Sequence, residues 1–136
     1  MELSLLDPDI LSEVLKYRDA RVVHNAAVYF QQHGAFAFSS MSRYEVLRGL
    51  VERRAKSQLQ RFQLFCRNNF ILPITDTIFD RAADLWAEAR QAGHSTNDAD
   101  MIIAATALES RRVLITGNHR HFAWISQLKL DDWRKP

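Results

Sequence analysis

The sequence predicts an α/β domain in which helices pack on a parallel sheet. Short apolar runs of four or five residues alternate along the chain with longer segments whose apolar residues recur at helical spacing. This alternation is typical of parallel sheets, because each helix carries the chain back to the edge where the next strand begins. The 136 residues show no internal repeat, low-complexity segment or linker, so we expect one domain over residues 1–136.

The chain begins with one predicted strand and two predicted helices. Residues 3–6, LSLL, form a continuous apolar run that indicates a buried strand, and residues 10–17 have the pattern of a short helix. Residues 20–33 form a longer helix, and Gly34 is expected to end it in a left-handed conformation. The positions of this helix at helical spacing are Val23, Ala26, Ala27 and Phe30.

A second strand leads into a long helical region. Residues 35–39, AFAFS, read as a strand, and residues 42–54 and 57–69 form either one broken helix or two consecutive helices. Residues 70–74, FILPI, return as a third strand. The central part of the chain therefore repeats the order of strand and helix seen at its start.

The last third of the chain has the most regular pattern. Residues 75–93 form an amphipathic helix closed by glycine, and a more apolar helix follows within residues 97–108. Residues 113–116, VLIT, form a strand, and the tail offers one further short strand at most. The predicted apolar stripe of the amphipathic helix consists of Ile78, Ala82, Leu85, Trp86 and Ala89.

Two carboxylates open the apolar segment NDADMIIAATAL at residues 97–108. Acids in the first helical turn are favourable, and Asp98 is the expected cap, although Ser95, Thr96 and Asn97 also qualify. Asp100 is less easily explained, because it shares a helix face with small and apolar residues. A carboxylate on a buried face is costly unless something compensates its charge. Asp100 is therefore a candidate for chemistry.

Polar residues follow the predicted strands at one edge of the sheet. Asp7 follows the first strand, Glu45 lies on the helix after the second strand, and Asn118 follows the last strand within TGN. Asp100, at a helix start, is expected at the same edge, where parallel strands gather functional groups. Several carboxylates in one cleft repel one another unless a cation neutralises them. Hard oxygen ligands of this kind indicate Mg²⁺ or Mn²⁺.

Each of these residues also has a purely structural interpretation. Asp7 and Asp9 can cap the first helix, and Glu45 lies three residues after Ser42, which is the spacing of a capping box. Asn118 can be a turn residue after glycine. From the residues alone, these interpretations stay open beside the metal site.

Other kinds of site and compartment receive no support from the sequence. A single cysteine, Cys66, excludes an internal disulfide and is typical of a reducing compartment. His119 and His121 are two residues apart and have no cysteine nearby, so we do not expect a zinc site. No apolar run is long enough to span a membrane, and acids rather than basic residues stand near the start. We expect a cytoplasmic protein.

Positive charge is concentrated in one segment although the net charge is only +2. Such a run can be an ordinary solvated helix face, or it can contact the phosphates of a nucleic acid around an acidic pocket. Arg43, Arg48, Arg53 and Arg54 are the candidate contacts to a nucleic acid nearest to Glu45. The basic residues of the segment are Arg43, Arg48, Arg53, Arg54, Lys56, Arg61 and Arg67.

Several segments, in order along nearly the whole chain, resemble the VapC-type toxins of the PIN-domain family. They are LLDPDILSE, a helix with Glu45 before Leu47 and Gly49, DADMIIAATAL, LITGNHRHFAWI and LKLDDW. The resemblance implies a PIN-like three-layer sandwich with a central parallel sheet flanked by helices. It also implies a metal-dependent endoribonuclease, the toxin of a type II toxin–antitoxin pair, acting on structured RNA such as tRNA.

The resemblance carries functional roles onto four positions of this sequence. It implies that Asp7, Glu45 and Asp100 hold Mg²⁺ or Mn²⁺ and that Asn118 completes the catalytic set. An antitoxin arginine paired with the acidic site, and a homodimer, are the partners that the resemblance implies. Pro8 is a departure, because the family usually has threonine or serine after the first aspartate.

Two alternatives differ from a nuclease. One is a non-catalytic PIN-like protein that binds RNA or an antitoxin. The departure at Pro8 is consistent with a protein of this kind. The other is a phosphatase of the haloacid-dehalogenase type, because DPD after a strand is similar to its aspartyl nucleophile motif. That family's later paired acids and upstream lysine are missing here.

Overall fold

All the strand pairs in the computed structural model, which describes residues 1–136, are parallel. Hydrogen bonds join the first, fourth and fifth strands into one ladder and the second and third strands into another. The first and second strands lie side by side, which gives the spatial order β3-β2-β1-β4-β5. The strands are β1 (Ser4–Leu6), β2 (Ala37–Ser39), β3 (Phe70–Leu72), β4 (Val113–Ile115) and β5 (Leu130–Asp131).

Helices cover the sheet on both faces. They are α1 (Pro8–Lys16), α2 (Ala20–His33), α3 (Ser40–Glu52), α4 (Lys56–Arg67), α5 (Asp76–Gln91), α6 (Asp98–Ser110) and α7 (His119–Phe122). The predicted α/β class and three-layer arrangement are confirmed. No helix of the protein is both long and apolar enough to cross a membrane.

Neighbouring strand residues supply two separate cores. Leu5 and Leu114 belong to the core that includes residues of α5 and α6. Leu6 and Ile115 point the other way and join the core of α1, α2 and α3, which also contains Trp133. Because both faces of the strands are buried, the strands are apolar throughout rather than alternating, and this made them recognisable in the sequence.

The predicted buried faces of two helices are partly wrong. In α2 the buried residues include Val22 and Tyr29, whereas Phe30 is 51% exposed. Two overlapping apolar rows run along this helix, and the register is set by the Tyr29 hydroxyl, which accepts a hydrogen bond from the Ser4 amide at 3.1 Å. In α5 the stripe is correct except for Trp86, which is 41% exposed.

The helix ends depend on left-handed residues at several points. Gly34 and Gly93 have φ of 77° and 76°, as glycines after predicted helices should. The long basic region is two helices, because the chain turns at Arg54, which has φ of 53°. The short helix α7 was not predicted, since four residues are too few to show a periodicity.

Candidate active site

Asp7 is the most buried carboxylate of the predicted site. It follows β1 directly, stands at the N-cap position of α1, and is 2% exposed. Its side chain forms no capping hydrogen bond, so the interpretation of Asp7 as a helix cap is wrong. The carboxylate instead accepts a hydrogen bond from the Thr116 hydroxyl, with 2.6 Å between Oδ2 and Oγ1. β1 and β4 are neighbours, and this places the two residues at the same edge of the sheet.

Burial raises the pKa of Asp7 to about 8. The negative charges of Asp9, Asp100 and Glu45 raise it further, while the hydrogen bond from Thr116 opposes the shift. The side-chain hydrogen-bond partner of Asp7 is the neutral Thr116, so no cation compensates the charge of this carboxylate. Asp7 therefore holds a proton near neutral pH unless a positive charge enters the site.

Glu45 faces the same site from α3. The helix begins at Ser40 and is capped by Ser39, whose hydroxyl accepts from the Ser42 amide at 3.0 Å. The capping-box interpretation of Glu45 is therefore wrong, because the helix starts before Ser42. Burial raises the pKa of Glu45, as does Asp100, and Arg48 lowers it from a distance of 3.7 Å.

Asp100 lies in the first turn of α6, with 16% of its side chain exposed. Its Oδ2 accepts from Asn97 Nδ2 at 3.1 Å and lies 2.8 Å from His121 Nδ1. The cap of this helix is Asn97, whose side-chain oxygen accepts from the Asp100 amide at 2.8 Å. The prediction that Asp98 is the cap is wrong, and Asp98 is the exposed first residue of the helix.

Asn118 stands beside this group without joining its hydrogen bonds through its side chain. It is exposed at the N-cap position of α7, where its side chain makes no capping hydrogen bond. Its backbone amide donates to the Thr116 hydroxyl at 3.0 Å. The hydroxyl of Thr116 thus links the loop after β4 to Asp7.

The structure brings Asp7, Glu45 and Asp100 close enough for their charges to act on one another. Their side chains do not form a closed cluster of three or more potential metal ligands. The donor chemistry nevertheless suits a hard divalent cation, since the groups are carboxylates and the buried one lacks a positive partner. An ion between them would remove the repulsion that raises the pKa of Asp7.

Three residues near the site were missed as participants at the sequence level. Thr116 was read only as the end of a strand, and its hydroxyl can be assigned only when the pairing of β1 with β4 is known. Asn97 was one of four adjacent capping candidates, and sequence alone does not choose among them. His121 was interpreted as a surface or phosphate-contacting histidine rather than a zinc ligand, and its contact with Asp100 was not predicted.

Part of the basic segment borders the site. A cleft of about 120 Å³ lies between α1, α3 and α4, and Glu45 is among its lining residues. Lys16, Arg53 and Arg61 also line it, above apolar side chains of α1 and α3. Arg48 contacts Glu45, and the remaining predicted RNA contacts lie outside this cleft. Their role in binding RNA stays a prediction.

The PIN domain family model matches residues 5–126. The chain is similar to one in the DNA-bound VapBC complex from Salmonella typhimurium, with 21% identity, a TM-score of 0.85 and coverage of 98% of this chain and 99% of that one. It is likewise similar to a chain of VapBC2 from Rickettsia felis bound to a promoter DNA fragment, with 20% identity, a TM-score of 0.85 and coverage of 96% and 98%. A chain of a toxin–antitoxin complex from Klebsiella pneumoniae shares 25% identity, with a TM-score of 0.71 and coverage of 96% and 97%. Comparison with curated protein sequences gave no significant match.

The parallel sheet with an acidic group beyond its strand ends defines an α/β protein of the PIN type. The chain belongs to the PIN domain family. The family match covers β2, β3 and β4 completely and all of β1 except Ser4, and it ends before β5. Its fold is that of chains found in VapBC complexes. The resemblance inferred from the ordered motifs is confirmed at the level of family and fold.

Proposed function

We propose that the protein is a Mg²⁺-dependent endoribonuclease, the toxin of a type II toxin–antitoxin pair. The main support for this proposal is the position of Asp7. It is buried beyond β1, and the negative charges of Asp9, Glu45 and Asp100 all raise its pKa. A purely structural carboxylate in such a place would be paired with a cation or would cap a helix, and Asp7 does neither. The cost of burying it is understandable if the group serves a divalent ion.

Each acidic side chain has its own task in this proposal. Asp7 and Asp100 hold the ion, which could equally be Mn²⁺, and Glu45 orients water around it. When bound, the ion lowers the pKa of a water molecule and stabilises negative charge on the scissile phosphate. Asn118 is exposed at the edge of the site and can orient a water without adding charge. His121 steadies the Asp100 carboxylate from the outer side.

The proposed substrate is RNA, and structured RNA such as tRNA in particular. An acidic site repels a polyanion, so the substrate requires positive charge around the rim. Lys16, Arg53 and Arg61 supply it in the cleft next to Glu45. Contacts of this kind bind phosphates without reading sequence, and their strength should fall as salt concentration rises.

The proposed partners are a cognate antitoxin and a second copy of the chain. The similar structures from Rickettsia felis and Salmonella typhimurium are described as VapBC bound to DNA, and the one from Klebsiella pneumoniae as a toxin–antitoxin complex. An arginine from an antitoxin would pair with the carboxylates beyond β1 and compete with the ion. The apolar floor of the cleft between α1, α3 and α4 offers a place for the adjoining part of that partner.

Pro8 suits the backbone at its position, which weakens one argument for a non-catalytic protein. Pro8 is the first residue of α1, where an amide would have no helical partner and where proline is favoured. Asp7 keeps an ordinary extended backbone before it. The phosphatase alternative loses support as well, because both oxygens of Asp9 accept backbone hydrogen bonds, from Ile10 and Gly117.

Cleavage of RNA by the purified protein tests the proposal. Labelled tRNA and an unstructured RNA are incubated with Mg²⁺, with Mn²⁺, and after exhaustive chelation. We expect metal-dependent cuts in the wild type and at least a hundredfold loss of rate, on the order expected for removing a metal ligand, in Asp7→Asn and Asp100→Asn. Asp98→Asn is the matched control and should keep nearly full activity.

Two results would contradict the proposal. One is wild-type cleavage that survives chelation, and the other is undiminished cleavage by folded Asp7→Asn. Circular dichroism and thermal melting of every variant show whether a loss of rate reflects unfolding. Release of phosphate from a phosphomonoester, with trapping of an aspartyl-phosphate, would favour the phosphatase instead.

A further inference from the structure

The C-terminal tail, residues 132–134, is anchored against the loop that follows β4. The Thr116 amide donates to the Asp131 carbonyl at 2.9 Å, which extends the pairing of β4 with β5 into this loop. Trp133 is 2% exposed, and its carbonyl oxygen accepts from Asn25 Nδ2 at 2.9 Å. The tail therefore has a fixed position relative to the sheet and to α2.

Arg134 forms a two-point contact with Asp132 at the end of this tail. Its Nε donates to Oδ1 at 3.2 Å and its Nη2 donates to Oδ2 at 3.3 Å, while its backbone amide also reaches Oδ1 at 3.0 Å. Asp132 is only 5% exposed. Burial acts to raise the pKa of Asp132, but the hydrogen bonds and charge of Arg134 hold that pKa below its usual value. The carboxylate is thus ionised and orients the guanidinium.

The guanidinium of Arg134 lies directly against Gly117. A Cβ at position 117 would overlap that guanidinium and would also stand 2.7 Å from Asp9 Oδ2. Gly117 does not adopt a left-handed backbone angle, and its lack of a side chain lets the guanidinium of Arg134, whose side chain is 41% exposed, approach this closely. Its amide donates to Asp9 Oδ2 at 2.8 Å, which fixes the loop from the side of α1.

The loop held in this way carries the one side chain that hydrogen-bonds to Asp7. The Thr116 hydroxyl donates to Asp7 and accepts from the Asn118 amide, so a shift of Gly117 would move both of its neighbours. Arg134 touches neither Asp7 nor any other proposed ligand through a hydrogen bond. Arg134 can act on the site through this loop, and also through the nearby charge of Asp9, which itself acts on Asp7.

We propose that Arg134, oriented by Asp132 and packed on Gly117, is a positioning residue that fixes the loop of Thr116, Gly117 and Asn118 against Asp7. The inference rests on the proposed function, since it assigns the loop to the same metal site. Partners that orient metal-binding carboxylates commonly change metal affinity or activity by about 10- to 100-fold when removed. A planar guanidinium supports the loop through its shape as well as its charge, so lysine is expected to replace it only in part.

The test compares Arg134→Ala and Arg134→Lys with Lys135→Ala, a control at the next, exposed position of the same tail. Mn²⁺ binding to the full chain is measured by calorimetry, and amide hydrogen exchange of Gly117 and Asn118 by NMR. We expect Arg134→Ala to weaken Mn²⁺ binding by about tenfold and to speed exchange at both amides. Arg134→Lys should show a smaller change in the same direction, and the control should match the wild type.

The outcomes separate positioning from general stability. A variant that melts earlier but keeps wild-type Mn²⁺ affinity and exchange at 25 °C would overturn the proposal. If the wild type itself binds no Mn²⁺, the proposed function fails, whereas exchange at Gly117 and Asn118 still decides whether Arg134 fixes the loop. Gly117→Ala in the Arg134→Ala background separates the two contacts of the loop, because any further loss of Mn²⁺ affinity there comes from the contact of Gly117 with Asp9 and not from the guanidinium.

Discussion

Folding and the proposed chemistry make opposite demands on Asp7. Burial beyond the end of β1 and the neighbouring acids disfavour its charged form, yet only the charged form binds a cation well. The Thr116 hydroxyl moderates this conflict by donating to the carboxylate. Without a metal ion, the residue should therefore stabilise the fold less as it loses its proton.

Asp7→Asn should change how the stability of the metal-free protein depends on pH. The carboxyl of Asp7 has a pKa of about 8 in the folded state, against 3.8 for an unperturbed aspartate, so the folded state binds one more proton than the unfolded state between these pH values. The free energy of unfolding of the wild type should fall as pH rises from about 4 to about 8, with no further change from this group above that. Asparagine cannot lose a proton, so the variant should lack this contribution and be the more stable protein at pH 8, by on the order of a few kcal/mol.

Urea unfolding of both proteins from pH 5 to pH 9 measures the difference. The gap between variant and wild type should widen up to about pH 8, stay level above it, and shrink when Mg²⁺ is added to the wild type. A gap that stays constant over the whole range would show that Asp7 is not held protonated by its surroundings.

The apolar runs of the sequence predict the positions of the strands well, but they do not predict which strands pair or which side chains meet across them. The apolar runs 3–6, 35–39 and 113–116 end at polar residues, and the observed strands begin and end within two residues of those limits. Asp7 and Asn118 could be placed at one edge because that placement follows from strand direction alone. The Thr116 hydroxyl could not be assigned, because its partner is more than a hundred residues away and depends on strand order.

The residue that caps α6 could not be predicted from the sequence, for a different reason. Four adjacent residues have side chains that can cap the helix, and which of them does so depends on where the backbone enters the first helical turn. Asn97 is the cap, and its side chain also donates to Asp100. Asn97→Ala should therefore cost about 1 kcal/mol of unfolding free energy, whereas Asp98→Ala should cost only a few tenths through the helix dipole.

Urea unfolding at neutral pH compares these two variants, and Mn²⁺ calorimetry adds a second measurement. Asn97→Ala should also weaken Mn²⁺ binding, because Asp100 loses an orienting partner, while Asp98→Ala should bind as the wild type does. If Asp98→Ala proved the more costly change in both measurements, the assignment of cap and ligand at this helix would be reversed.

Two regions of the protein surface differ in polarity. The edge beyond the strands is charged, whereas α5 and α6 present an apolar surface that includes Phe79, 49% exposed, Trp86, 41% exposed, and Ile102. Monomeric proteins seldom leave large neighbouring apolar side chains open to water. A surface on two antiparallel or crossing helices can meet its own copy through a two-fold axis, which suits the expected homodimer.

Trp86→Glu should convert a homodimer into a monomer, because it would bury a charge in the centre of this surface. Sedimentation equilibrium at micromolar concentrations measures the mass, and we expect dimerisation to weaken by at least tenfold, on the scale of a central interface position. Leu64→Glu is a matched control, since Leu64 is 57% exposed on α4, away from α5 and α6. A wild-type protein that remains monomeric throughout would exclude the homodimer. A dimer that Trp86→Glu leaves intact would place its interface on another surface.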